Sequence, residues 1–268
     1  MEKNKNNIHL SVLTLTKNNE KTLEYNLKSI YKYADEIVIL DSGSTDKTLE
    51  IARKYTDKIL FRPFDGNFGE QKNYGMKNCT GEWIFILDSD EFVGENFSNC
   101  FSYLNGVYRS LALPRCHIFD IKKHQQLLTY THYYDWQTRF IKNDGTIVYG
   151  DNRVHENLQN YRRRLHCCEA HIFHLDFLVK GYMKRKAKVE FYNRLANAGY
   201  PRMYLPEDYP YHTMSMMELP ELELLHDLEN DENFYQYPLR ESKWISAREI
   251  LKWKIRQTVT RARKFLNV

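Results

Sequence analysis

Two aspartates one residue apart, Asp88 and Asp90, end the apolar run Trp83-Ile84-Phe85-Ile86-Leu87, and their types and spacing suit chemistry. Five consecutive apolar residues fit a central strand buried on both faces, so the acids sit where that strand leaves the sheet, the edge at which α/β proteins bind ligands. In extended chain the two carboxylates point the same way, and like charges at an apolar lip are costly without a cation or hydrogen-bond donors. A divalent metal would supply the missing charge. The same spacing also describes a strand running into a polar turn, with Asp88 or Ser89 capping the next helix. The surrounding sequence has to discriminate the two.

The segments before this run alternate strand and helix patterns. Residues 8–16 are β-branched and apolar and read as a first strand, followed by an amphipathic helical pattern through Leu23, Leu27, Ile30 and Tyr31. A second strand, Glu36-Ile37-Val38-Ile39-Leu40, ends in Asp41, and the turn through Gly43 to Asp46 opens a helix bearing Leu49, Ile51 and Ala52. Lys58 to Phe61 reads as a third strand, and residues 70–78 as a helix. This alternation implies right-handed crossovers and a mostly parallel sheet. Two strands therefore place an aspartate at their carboxyl ends.

The stretches Leu10-Ser11-Val12-Leu13-Thr14-Leu15-Thr16-Lys17-Asn18-Asn19-Glu20 and Ala34-Asp35-Glu36-Ile37-Val38-Ile39-Leu40-Asp41-Ser42-Gly43-Ser44-Thr45-Asp46 resemble family-two glycosyltransferases of the GT-A fold. The branch including lipopolysaccharide-core glucosyltransferases is the most similar. Gly69-Glu70-Gln71-Lys72-Asn73, Thr80-Gly81-Glu82-Trp83 and Asp88-Ser89-Asp90-Glu91 follow in the family's order, so the resemblance covers about the first ninety residues. Beyond residue 115 it thins to islands at Arg139-Phe140, Val154-His155-Glu156 and His174. The fold implied is α/β: a GT-A, Rossmann-like, mixed and mostly parallel sheet flanked by helices, with a carboxyl-terminal helical extension.

By resemblance, Asp41 would accept the imide N–H of a uracil ring, and Thr16 and Glu20 would line the base and ribose pocket. Lys72 would reach the diphosphate, Asp88 the ribose or a metal-bound water, Ser89 the same nucleotide-sugar site, and Asp90 the metal, either manganese or magnesium. Asp88, Asp90 and His174 form the expected metal set. Lys72 as a solvated helix lysine, Glu20 as a first-turn acid and His174 as a buried, hydrogen-bonded histidine are the alternatives. The family inverts configuration in one displacement, which requires a base for the acceptor hydroxyl but no covalent nucleophile. Glu156 is the first choice for that base, with Asp151 and His155 behind it. His171 and His174 have helical spacing.

Composition agrees with an enzyme of 268 residues, 42% of them hydrophobic. Tyrosines cluster with Trp136 at Tyr130, Tyr133 and Tyr134, a pattern that suits sugar stacking or an amphipathic core edge equally well. The five cysteines show no C-x-x-C pair and read as reduced cytosolic thiols, and no signal peptide or membrane-spanning run is visible. The expected organisation is a catalytic domain over 1–200, divided into a nucleotide-sugar half (1–115) and an acceptor half (116–200). An acidic, proline-containing connector over 201–242 and a basic amphipathic helix over 243–268 follow. Eight basic residues in that helix, Lys243, Arg248, Lys252, Lys254, Arg256, Arg261, Arg263 and Lys264, face one acid, Glu249. The pattern fits an interfacial helix on anionic lipid, with packing on the domain as the bland competitor and nucleic acid not expected.

The reading is an inverting, metal-dependent hexosyltransferase in the cytoplasm, peripheral on the inner membrane face. It would take a UDP-sugar donor and a glycan or lipid-linked acceptor in surface polysaccharide or glycoconjugate assembly. A transferase acting on a protein side chain, and an inactive nucleotide-binding module, are the runners-up.

Overall fold

Leu10, Val12, Trp83, Phe85 and Leu87 bury themselves in one hydrophobic cluster, while Leu13, Ile84 and Ile86 enter another on the opposite face of the same strands. This two-sided burial explains the unbroken apolar runs, since strands covered by helices on both faces have no solvent side. A computed structural model describes residues 8–128, 135–151, 153, 156–196, 204–208, 212–215 and 255. The first elements are β1 (Leu10–Thr16), α1 (Leu23–Ile30), β2 (Glu36–Asp41), α2 (Thr48–Ala52), β3 (Ile59–Phe61), α3 (Phe68–Lys77) and β4 (Trp83–Ile86). Helix α3 starts before the expected Glu70 because the Asn67 side chain caps it, accepting from Glu70 N at 3.1 Å.

There follow β5 (Glu91–Val93), β6 (Ser110–Asp120), β7 (Gln125–Leu128), β8 (Asp135–Lys142), β9 (Val148–Tyr149), β10 (Leu158–Gln159), β11 (Arg164–His166), β12 (Ile172–His174), α4 (Asp176–Val179), α5 (Tyr182–Ala196) and β13 (His212–Ser215). The sheet runs β13-β7-β6-β8-β4-β1-β2-β3. It is mixed as expected: β3, β2, β1 and β4 are mutually parallel, whereas β8 is antiparallel to both β4 and β6. Chain order reverses between β1 and β4, creating the switch point whose carboxyl edge is a standard ligand crevice. Phe85, Phe97, Phe101 and Phe140 pack ring on ring where the two halves meet, with centroids 4.6 to 6.3 Å apart.

At the opposite edge one carboxylate staples the parallel strands. Glu36 accepts from Thr80 N at 2.8 Å and from Lys58 Nζ and Ser11 Oγ, while Ser11 Oγ accepts from Gly81 N at 2.7 Å. Gly81 is obligatory here, because a Cβ would lie 2.5 Å from Ser11 N. The carboxyl-terminal helix expected over 243–268 lies outside the described residues apart from Ile255, as does most of the connector over 201–242.

Candidate active site

The chain does not stay extended beyond β4. Glu91 N donates to the Asp88 carbonyl at 2.8 Å, closing a turn, and the Asn26 side-chain amide donates to the carbonyls of Asp88 (2.8 Å) and Glu91 (2.9 Å). The two aspartates consequently diverge instead of sharing a direction. Asp88 accepts from Arg139 Nη2 at 2.7 Å, whereas Asp90 accepts from Lys180 Nζ at 2.9 Å and faces His174 Nε2 at 3.4 Å. Burial would push the Asp88 carboxyl up, but the Arg139 guanidinium and then Lys72 hold it well below the carboxylate range. Asp90 is likewise held down against burial by Lys180 and His174. The protein itself supplies the charge that the sequence argument assigned to a metal.

Behind them, Glu91 is fully buried and anchors two arginines, accepting from Arg139 at 2.6 Å and Arg115 at 2.8 Å. Asp90, His174 and Asp176 offer ligand atoms lying within 4.8 Å of one another. Asp176 Oδ1 accepts from Lys188 at 3.0 Å and also from Lys180, while buried Oδ2 has no hydrogen-bond partner among the described residues. Two carboxylates, one with an orphaned oxygen, and an imidazole suit manganese or magnesium, so the donor set fits a divalent cation. Asp88 lies outside this set. His174 is both buried and hydrogen-bonded, its Nδ1 3.0 Å from His117 Nδ1, and it sits on β12, so the apparent helical spacing with His171 is accidental. Burial pushes the His117 ring down to about 4, with Asp135 opposing and Arg115 adding to the fall.

Helix α3 carries the next groups and docks on the β9–β10 hairpin. The Asn73 amide donates to Tyr149 O at 2.9 Å and accepts from Tyr149 N at 2.8 Å, bonding the strand as another strand would. Gly69 permits this approach, since a Cβ there would lie 2.6 Å from Gly150 O. Lys72 thereby reaches Glu156 and forms a buried ion pair with it; burial would lower the lysine's proton affinity, but Glu156 raises it above the usual range. Gln71 donates to Ser42 Oγ and Arg62 O, each at 2.8 Å, which ties α3 to the end of β2. The Gly69 to Asn73 segment is therefore a joint between the main sheet and the separate two-stranded β9–β10 hairpin.

Thr16, Lys72, Asp88, Ser89, Asp90, Glu156 and His174 line one cleft of about 760 Å³ at the switch point. Asp41 is buried and caps its own turn, accepting from Gly43 N at 2.9 Å and Ser44 N at 3.0 Å, while neighbouring Ser42 reaches the cleft. Glu20 is exposed, does not line the cleft, and accepts from Lys47 N at the start of α2. Asp151 is exposed and also does not line it, and His155 lies outside the described residues with Tyr130, Tyr133 and Tyr134. Arg115, His117, Asp135, Asp176, Lys180 and Lys188 had no part in the sequence argument. The available signal was the two-residue step from His174 to Asp176; the others come from strands and a helix remote in sequence.

Residues 11–99 match the family model described as Glycosyl transferase family 2. This segment is similar to a family 2 glycosyltransferase domain. The chain is also similar to an uncharacterized glycosyltransferase of Rickettsia bellii, 33% identical over 35% of this chain and 32% of the relative. The lipopolysaccharide core biosynthesis glycosyltransferase LpsC of Rhizobium meliloti is 36% identical over 31% of this chain and 32% of its own length. The chain thus spans about a third of the length of these curated relatives. Among solved structures, residues 1–349 of Staphylococcus aureus TarS in complex with UDP align at 18% identity over 75% of each chain, with a TM-score of 0.45. The Mycobacterium tuberculosis glucosyl-3-phosphoglycerate synthase with Mn2+ and UDP-glucose aligns at 24% identity over 41% of this chain and 44% of that one, with a TM-score of 0.34. Among the described residues, no helix is long and apolar enough to cross a membrane.

Proposed function

We propose that this protein is an inverting, metal-dependent glycosyltransferase. It would move a hexose from a UDP-sugar to a hydroxyl of a glycan or lipid-linked acceptor in surface polysaccharide or glycoconjugate assembly. The carrying observation is the convergence of Lys72, Asp90, His174 and Glu156 on one cleft at the switch point of a sheet whose first strands match the family 2 model. Base recognition would fall to the turn built by Asp41, whose carboxylate accepts from Gly43 N, Ser44 N and Ser44 Oγ and whose neighbour Ser42 reaches the cleft. Thr16 and Ser89 would flank the ribose.

Asp90, His174 and Asp176 would hold manganese or magnesium, which when bound neutralises charge on the departing diphosphate. Lys72 then has two competing anions, Glu156 and the incoming diphosphate. As the lysine turns to the phosphate, Glu156 loses its counter-ion and its carboxylate becomes available to the acceptor. The acceptor oxygen attacks the anomeric carbon and its proton passes to Glu156. The carbon–oxygen bond to phosphate breaks, and the diphosphate leaves with the electron pair. Tyr161 and Arg164, stacked 4.9 Å apart at the cleft rim beside Gln137 and Thr138, offer an aromatic and hydrogen-bonding surface for the acceptor.

Screening UDP, GDP, dTDP and CMP sugars with manganese by thermal shift, then weighing products by mass spectrometry, tests the reading. A UDP-hexose should stabilise the protein and yield a glycosylated acceptor. Stabilisation by a GDP-sugar alone would remove the role given to Asp41, and nucleotide binding without sugar release would indicate an inactive module.

A further inference from the structure

His117 has no role in the reaction just described, yet it is buried against the cation site. Parallel pairing of β12 with β6 sets His174 opposite His117, and the rings cross edge to face with centroids 5.0 Å apart. Their Nδ1 atoms, 3.0 Å apart, require one proton between them: without it two lone pairs collide, and with two protons N–H meets N–H. On the far side, His117 Nε2 lies 2.9 Å from Asp135 Oδ2, a carboxylate oxygen that accepts, so that nitrogen carries hydrogen. Arg115 Nε donates to the same oxygen at 2.7 Å. Burial and the neighbouring Arg115 guanidinium disfavour a cation on the His117 ring, with Asp135 only partly opposing them. His117 is therefore neutral with its lone pair at Nδ1, and the shared proton belongs to His174 Nδ1. The remaining nitrogen of His174, Nε2, lies 3.4 Å from Asp90 Oδ1, longer than an ordinary N–H···O bond, so no hydrogen bond fixes a proton there.

We propose that Asp135 and His117 form a proton-placing relay that fixes the tautomer of His174, presenting its Nε2 lone pair to a divalent cation held with Asp90 and Asp176. Both are positioning residues; neither binds the cation. Histidine ligands are usually oriented by a carboxylate bonded directly to the second ring nitrogen. Here an imidazole is interposed, and it transmits the polarity of Asp135 by one ring. The inference rests on the cation site of the proposed function, and manganese binding separates the two.

The full chain and its variants are titrated with MnCl2, the free ion being followed by electron paramagnetic resonance and the fold by circular dichroism and thermal melting. Asp135→Asn keeps size but lets an amide N–H donate to His117, reversing both tautomers and turning an N–H toward Asp90. His117→Phe removes the acceptor, and His117→Asn places a carbonyl near Nδ1 that can still accept. Losses of second-layer partners of metal ligands lower affinity roughly 10- to 100-fold, which is expected for Asp135→Asn and His117→Phe, with His117→Asn retaining most of the affinity. Parental affinity in Asp135→Asn overturns the relay while leaving the cation site standing. Equal losses in all three variants also overturn it, since packing rather than proton placement would then be responsible. If the parent binds no manganese, the cation site falls and the relay with it. Should His117→Phe fail to fold, Asp135→Asn and His117→Asn carry the test.

Discussion

Arg139 makes its strongest contacts to two acids at once, Asp88 at 2.7 Å and the fully buried Glu91 at 2.6 Å. Replacing it by methionine leaves Glu91 with Arg115 as its one cation among the described residues, and removing one partner of a buried ionic cluster typically costs about 3–5 kcal/mol. Arg139→Met should lower stability by roughly that amount in urea unfolding; a loss below about 1 kcal/mol would show that water or rearrangement rescues the acid. At Glu156 the proposed role is chemical, although an amide there also leaves Lys72 without this counter-ion. Glu156→Gln should abolish sugar transfer while UDP binding by calorimetry persists, and near-normal transfer would remove Glu156 as the base. Asp88 and Asp90 were visible in the sequence because they terminate an apolar run. Their opposite destinations were not, since Arg139, His174 and Lys180 stand 51, 84 and 90 residues from the acids they meet.

Among elements, α3 and the separate β9–β10 hairpin show how a helix beside the main sheet positions Glu156, the proposed base. A methyl group at Gly69 would meet Gly150 O at 2.6 Å, a backbone atom that can yield only by moving the hairpin. Displacement of about 1 Å in a reacting group can cost about 100-fold, so Gly69→Ala should cut kcat by one to two orders of magnitude. Its melting temperature should fall as well, since Tyr149 of the hairpin packs in the core with Leu13 and Ile84, so kcat is measured well below the transition. Unchanged kcat would mean that Glu156 is placed independently of α3. The parallel strands were legible because helices cover both faces and leave continuous apolar runs. The antiparallel half was not: β6 pairs with β7, β8, β11 and β12, long-range choices for which local pattern supplies no register. For the same reason the His171 to His174 step resembled a helix.

Across the whole molecule, chemistry and strand stapling occupy opposite edges of the sheet. Burial would raise the Glu36 carboxyl, but Lys58, Ser11 and Thr80 bring it down to about 2, from an ordinary 4.5. A depressed acid stabilises the fold above the unfolded pKa, and that contribution drains away as pH falls from 4.5 toward 2. Because Lys58 is partly exposed, the effect is about 1–2 kcal/mol after screening. Glu36→Gln should therefore lower stability at pH 7 by that amount and flatten the acid limb of the melting curve; a limb parallel to the parent's would contradict the assignment. At the other end of the chain, the basic segment 243–268 is proposed to rest on anionic lipid. Its deletion should reduce co-sedimentation with phosphatidylserine vesicles, and unchanged sedimentation would exclude that role.

The lysines of the cleft also have a consequence for how ligands enter. Lys72, Lys180 and Lys188 already hold Glu156, Asp90 and Asp176 as internal counter-ions. Binding of the proposed donor would then be an exchange of partners, its free energy the difference between two sets of ion pairs. A cation arriving at Asp90 and Asp176 would release the ammonium groups that a diphosphate needs, so each ligand lowers the cost of admitting the other. Such coupling is reciprocal: whatever factor manganese contributes to UDP affinity, UDP must return to manganese. The cleft would behave as an ion exchanger whose two incoming ions are admitted together and refused singly.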